Sequence, residues 1–134
     1  MSQHRYEETT RDIKIAVEPN FLDDQSDPDE NRYLWSYRIT IENKSGLPVQ
    51  LLSRYWRITD GRGRVREIRG DGVIGEQPVI APGRAYEYTS GAPLETPSGF
   101  MTGTYHMRAS SGESFEVGIP MFALESPYAA RRMH

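Results

Sequence analysis

Apolar and polar positions alternate with a period of two through most of this chain, the signature of strands that are half buried. Ile13, Ile15 and Val17 open the pattern, and Pro19 closes that first run. Tyr33, Trp35, Tyr37, Ile39 and Ile41 then alternate with Leu34, Ser36, Arg38, Thr40 and Glu42, which predicts a long strand with an aromatic row facing inward. Asn43-Lys44-Ser45-Gly46 supplies a turn. From Val49 to Thr59 a further strand is predicted, with Leu52, Trp56 and Ile58 on one face. Asp60-Gly61-Arg62-Gly63 turns it into a hairpin with residues 64–69. After a glycine-rich loop come residues 85–90, then a run carrying Met101, Tyr105, Met107 and Ala109, and a hairpin at Ser110-Ser111-Gly112 that leads to Phe115, Val117 and Ile119. Pro120 cannot donate to a ladder, so it marks an edge or a bulge.

Nowhere do apolar residues recur at helical spacing over three turns. About seven strand-like runs with breakers every 8–12 residues or so predict an all-β protein, an immunoglobulin-like or fibronectin type III-like β-sandwich of antiparallel strands. Residues 11–125 form the expected domain, after an N-terminal extension over 1–10 and before a flexible tail over 126–134.

Composition narrows the function classes. The hydrophobic share, 37 %, is low for a globular chain and suits two thin layers with one face of each in water. Sixteen Lys and Arg against nineteen Asp and Glu give a net charge of −3, which argues against a nucleic-acid partner, whose binding needs a basic surface. With no cysteine there is no thiolate nucleophile or Cys-ligated metal. No apolar run reaches the ~20 residues of a bilayer span, and the first eight residues lack a signal core. A cytoplasmic protein without membrane insertion is expected.

Gly70-Asp71-Gly72-Val73-Ile74-Gly75 matches the G-x-G-x-x-G spacing of dinucleotide-binding loops. A true fingerprint follows a buried apolar strand and opens a helix. Here residues 64–69 are charged at every other position, and Pro78 and Pro82 follow, so the glycines are expected to shape a loop. An anion held by that loop with Arg66, Arg69 and Arg84 is the competing reading. Asp27-x-Asp29-x-Asn31 begins like a calcium loop, but Arg32 and Arg38 stand where its glycine and glutamate belong. His4, His106 and His134 share no short spacing. No catalytic constellation and no cofactor site emerge. Tyr86 and Tyr88, on one face of their strand, are candidates for an exposed partner surface.

Beyond these patterns, the chain resembles the bacterial ApaG family, whose domain also occurs at the C-terminal side of some eukaryotic F-box proteins. The resemblance rests on Arg54-Tyr55-Trp56-Arg57-Ile58-Thr59-Asp60, on residues 70–78, on Pro82-Gly83 followed by residues 86–91, and on Gly103-Thr104-Tyr105-His106-Met107. Gln25-Ser26-Asp27-Pro28 and Asn31-Arg32-Tyr33 extend it. It implies a fibronectin type III-like fold, an association with cobalt and magnesium homeostasis, no established catalytic residues and, from the F-box relatives, a protein-interaction role. Tyr55 stands where a histidine is frequent, and Arg69 where an acidic or apolar residue is common. The expectation is a non-enzymatic module that binds a protein partner, with a homodimer through sandwich edges open. The alternative is a nucleotide- or pyrophosphate-binding protein using the glycine loop.

Overall fold

The computed structural model describes residues 4–131. Nine strands run β1 Tyr6–Thr10, β2 Ile13–Phe21, β3 Tyr33–Asn43, β4 Val49–Asp60, β5 Val65–Asp71, β6 Val79–Ile80, β7 Ala85–Leu94, β8 Ser98–Ala109 and β9 Ser114–Glu125, and a short helix α1 spans Pro127–Arg131. All pair antiparallel in two sheets, ordered β1-β2-β3-β7 and β5-β4-β8-β9, with β6 pairing a further stretch of β4. The all-β sandwich expected from the alternation is the observed architecture. Two strands exceed the expected number: β6, two residues long, and β1, which lies in the stretch taken as an N-terminal extension. A two-residue turn at Arg11-Asp12, both at positive φ, returns β1 onto β2.

The inward rows read from the sequence in β2 and β3 are all buried: Ile13, Ile15 and Val17, then Tyr33, Trp35, Tyr37, Ile39 and Ile41. In β4 the expected row needs correction. Leu51, not Leu52, is in the core, because the register of β4 against β8 slips between Leu51 and Ser53. The bulge reverses the parity of the strand: Val49 and Leu51 face inward before it, Trp56 and Ile58 after it. It also leaves the Leu52 carbonyl to accept from the Gly72 amide and the Gln77 side chain, both at 2.8 Å. A second slip, opposite Met101–Gly103, falls at Pro120 in β9, an edge strand. Parity again reverses, from Val117 and Ile119 to Phe122 and Leu124.

On one side the two sheets are joined edge to edge. There β1 lies against the outer edge of β9, where its side chains accept hydrogen bonds from free amides: Thr10 Oγ1 from Gly118 and Tyr6 Oη from Ala123. Tyr6 also packs its ring on Phe122. The carboxy-terminal segment is held as well. Ser126 is buried and donates to the Pro97 carbonyl, and Tyr128 of α1 packs against Phe21 and Tyr33. The rest of the expected tail, residues 132–134, lies outside the described residues.

Truncating the two adjacent leucines separates bulge from regular strand. Leu51→Ala is expected to cost about 2–5 kcal/mol in denaturant unfolding and Leu52→Ala less than about 1 kcal/mol; equal costs would refute the register. A second expectation concerns Tyr88 and Tyr105, whose hydroxyls hydrogen-bond to each other in the core. Burial raises both phenols above their usual range, so the folded chain keeps protons that unfolded phenols release near about pH 10. This contribution to stability is intact below that pH and is lost as pH rises further. The urea midpoint is therefore expected to fall above about pH 10, and to fall less steeply in the Tyr88→Phe/Tyr105→Phe double variant.

Candidate functional site

Opposite the β1–β9 seam, the edges of β5 and β7 face each other without strand pairing among the described residues. Between them lies a groove in two stretches. The first, of about 580 Å³, has Tyr33, Ile58, Val65 and Leu94 on its apolar walls and Arg64 and Arg66 at its rim. The second, of about 240 Å³, reaches Tyr37, Trp56 and Tyr88 and is bounded by Ile68 of β5 and Ile74 of the glycine loop. Arg66 marks the junction, its Nη2 3.5 Å from the Pro93 carbonyl across the gap. Arg64 is held at the outer end by Asp60 at 2.8 Å and Glu95 at 3.4 Å. Burial pushes the Asp60 carboxyl up, but the Arg64 and Arg62 amides and the Arg64 guanidinium outweigh it and leave its value lowered.

Each glycine of the G-x-G-x-x-G segment has its own structural reason. Gly70 sits in β5 directly opposite Arg54 of β4; a Cβ there would meet the Arg54 guanidinium at 2.9 Å. Gly72 has φ +63°, and a Cβ would lie 2.2 Å from the Glu76 carbonyl oxygen. Gly75, φ +80°, follows Ile74 at φ +41° in a two-residue turn closed by reciprocal bonds between Val73 and Glu76. The strand before the segment is antiparallel and no helix follows. The amides of Gly72, Val73 and Glu76 donate to protein carbonyls, which leaves the loop a poor anion cradle.

The arginines grouped with that loop do not converge. Arg66 and Arg69 are three residues apart on β5 and project to opposite faces. Arg66 faces the groove, whereas Arg69 lies 4.7 Å over the Tyr55 ring on the outer face. Arg84 sits in the turn before β7, in the other sheet. The tyrosine pair is corrected in the same way. Tyr88 is 6 % exposed and belongs to the core. Tyr86, half-buried beside it, donates to Glu76 Oε1 at 2.7 Å and so ties β7 to the loop; burial, with the Glu76 carboxylate adding to it, raises its phenol to about 12. Alternation placed both side chains on one face, and that face points inward.

The outer face of the five-stranded sheet carries a shallow polar depression with Ser53, Tyr55, His106 and Glu116. The Tyr55 hydroxyl donates to Glu67 at 2.5 Å, which holds its phenol above the usual range. The acidic segment 23–30 forms two 3-10 turns, with Asp27 paired to Arg32 at 3.6 Å. Among the described residues no three His, Asp or Glu side chains are grouped to hold a metal ion. Residues that pattern reading passed over occupy the groove: Arg54, which shares the inward face of Trp56 and Ile58, and Ile74, an exposed β-branched residue at positive φ.

The ApaG domain family model matches residues 23–109. Protein ApaG of Rhizobium meliloti (strain 1021) is 57 % identical over 129 residues, covering 96 % of this chain and 99 % of that relative. Protein ApaG of Paramagnetospirillum magneticum is 55 % identical over the same shares. The crystal structure of the ApaA protein from Bordetella pertussis superposes with a TM-score of 0.85 at 48 % identity, covering 87 % of this chain and 94 % of that one. The C-terminal domain of wzt, 9 % identical with a TM-score of 0.51, shares the fold alone. On a family match across more than half its length and relatives aligned almost end to end, the chain belongs to the ApaG family.

Proposed function

We propose that this chain is a non-enzymatic interaction module of the cytoplasm that receives an extended segment of a partner protein in the groove between β5 and β7. The observation that carries the reading is the pair of unpaired strand edges flanking aromatic and aliphatic walls. An added strand can satisfy an exposed edge through main-chain hydrogen bonds while its alternate side chains enter pockets. Ile68, 37 % exposed on β5, and Ile74, 58 % exposed on the loop, give the groove an apolar rim. Backbone strain at a solvent-exposed isoleucine does nothing for folding that asparagine or glycine would not do better, which supports a role in contact.

A second copy of the chain is the alternative occupant: antiparallel self-pairing of β5 about its central residue, Ile68, would set Glu67 opposite Arg69. At the other side, amides of the β9 edge are already taken by β1. The family's link to divalent cations would run through the partner. No helix among the described residues is long and apolar enough to cross a membrane, and the space between the sheets is filled by Trp35, Tyr105 and Phe122.

Peptide display on the immobilised full chain, followed by hydrogen exchange with the selected peptides, tests the reading. Enrichment of extended sequences, slowed exchange in β5 and β7, and loss of binding in Ile68→Asp are expected. Protection confined to the outer face, or no enrichment, would refute it. Ile74→Asn is expected to stabilise the fold by about 1 kcal/mol, by relieving positive-φ strain, while weakening peptide binding; a variant that loses stability would contradict the role given to Ile74.

A further inference from the structure

The inner stretch of the groove contains hydrogen-bond donors that the protein leaves without acceptors. Arg54 is half-buried and makes no ion pair among the described residues. Its Nη1 donates to the carbonyls of Asp71 at 3.0 Å and Gly72 at 2.8 Å, whereas Nε and Nη2 have no hydrogen-bond partner among the described residues. Two phenols line the same cavity. Tyr105 is fully buried and meets only the Tyr88 hydroxyl, so Tyr105 must donate, because the reverse arrangement strands its own proton in the core. The Tyr88 hydroxyl hydrogen is then free to point into the cavity. Tyr37 lines the same cavity, and burial raises its phenol while its contact with Ser90 opposes this.

One guanidinium and two phenol hydroxyls thus meet in a cavity of about 240 Å³ that no carboxylate lines. Donors without acceptors, around a charge without a counter-charge, select an anion. The charge to be matched is single. Arg54 is the only cation lining the cavity, so a phosphate dianion lacks the second positive group that it needs. Trp56, Ile68, Val73 and Ile74 supply apolar walls beside the donors, suited to the stem that carries the charge.

We propose that Arg54, Tyr37 and Tyr88 form a carboxylate-binding subsite, taking one carboxylate on a short apolar stem. Resting on the peptide-groove reading, the partner segment presents an acidic side chain or its terminal carboxylate at this point.

The subsite is tested without any partner. The isotopically labelled full chain is titrated with 3-phenylpropionate, with its neutral amide and with inorganic phosphate, following backbone amide shifts. Saturable shifts confined to Val73, Ile74, Ser90 and Gly91 are expected with the carboxylate, at least about tenfold weaker with the amide. Because Arg54→Ala would release the two loop carbonyls and risk the fold, Tyr37→Phe carries the test. Loss of one charge-assisted hydrogen bond is expected to weaken carboxylate binding about tenfold with the urea midpoint near that of the parent. Equal binding of acid and amide, tighter binding of phosphate, unchanged affinity in Tyr37→Phe or no saturable shift would each overturn the proposal. If 3-phenylpropionate binds as expected while display finds no peptide for the groove, the subsite stands and the peptide reading falls.

Discussion

The structure depends on how the edges of its two sheets are joined along one side and left open along the other. A sandwich of two open sheets has four edges, and each edge exposes amides and carbonyls that water or another chain must satisfy. On one side β1 deals with two of them together. It is the last strand of its own sheet, and it gives the Thr10 and Tyr6 side chains as acceptors to β9, the last strand of the other. On the far side no strand does the same. The glycine loop closes only one end, where Val73 enters the core and Tyr86 reaches Glu76. An open groove between β5 and β7 is what remains when one seam is closed and its counterpart is not.

Charge is distributed to match this difference. The four-stranded sheet turns a ladder of ion pairs to solvent, with Glu18 between Arg5 and Arg38 and Glu7 between Arg5 and Lys14. Such exposed pairs add little stability, yet they make that face unsuited to apolar contact. At the groove the arginines serve differently. Arg64 is neutralised by acids of this chain, Arg66 reaches a carbonyl, and Arg54 has no carboxylate partner among the described residues. Along the groove, compensation falls away from its outer end towards the inner cavity.

Where the strand period ran unbroken, the fold was legible from sequence. The aromatic row of β3 and the apolar row of β2 were placed residue by residue, and Pro120 marked a register slip because a residue without an amide hydrogen is disfavoured within a regular ladder. Parity failed at Leu52 because a bulge without proline or glycine leaves no mark in composition. The site was less legible than the fold for a different reason. Period two already sets Arg54 on the face of Trp56 and Ile58, but alternation does not tell what a charged side chain in an inward row meets, and the structure sets it against Gly70. Tyr86 and Tyr88 show the converse, since alternation reports which residues share a face and says nothing of whether water or the other sheet lies against it.

The glycine segment illustrates how one spacing can arise from unrelated constraints. A dinucleotide loop needs its glycines so that backbone can approach a pyrophosphate and a helix can pack on a strand. Here the first glycine admits an arginine side chain, the second accommodates a neighbouring carbonyl at positive φ, and the third completes a tight turn. The first of these links the loop to the groove. Gly70 is flat so that the Arg54 guanidinium can lie across it and hold the Asp71 and Gly72 carbonyls, and the same contact fixes the direction in which the remaining donors of Arg54 point. The motif that suggested an anion site through its amides is thus connected to the proposed one through a side chain on the neighbouring strand, and its first glycine positions that cation.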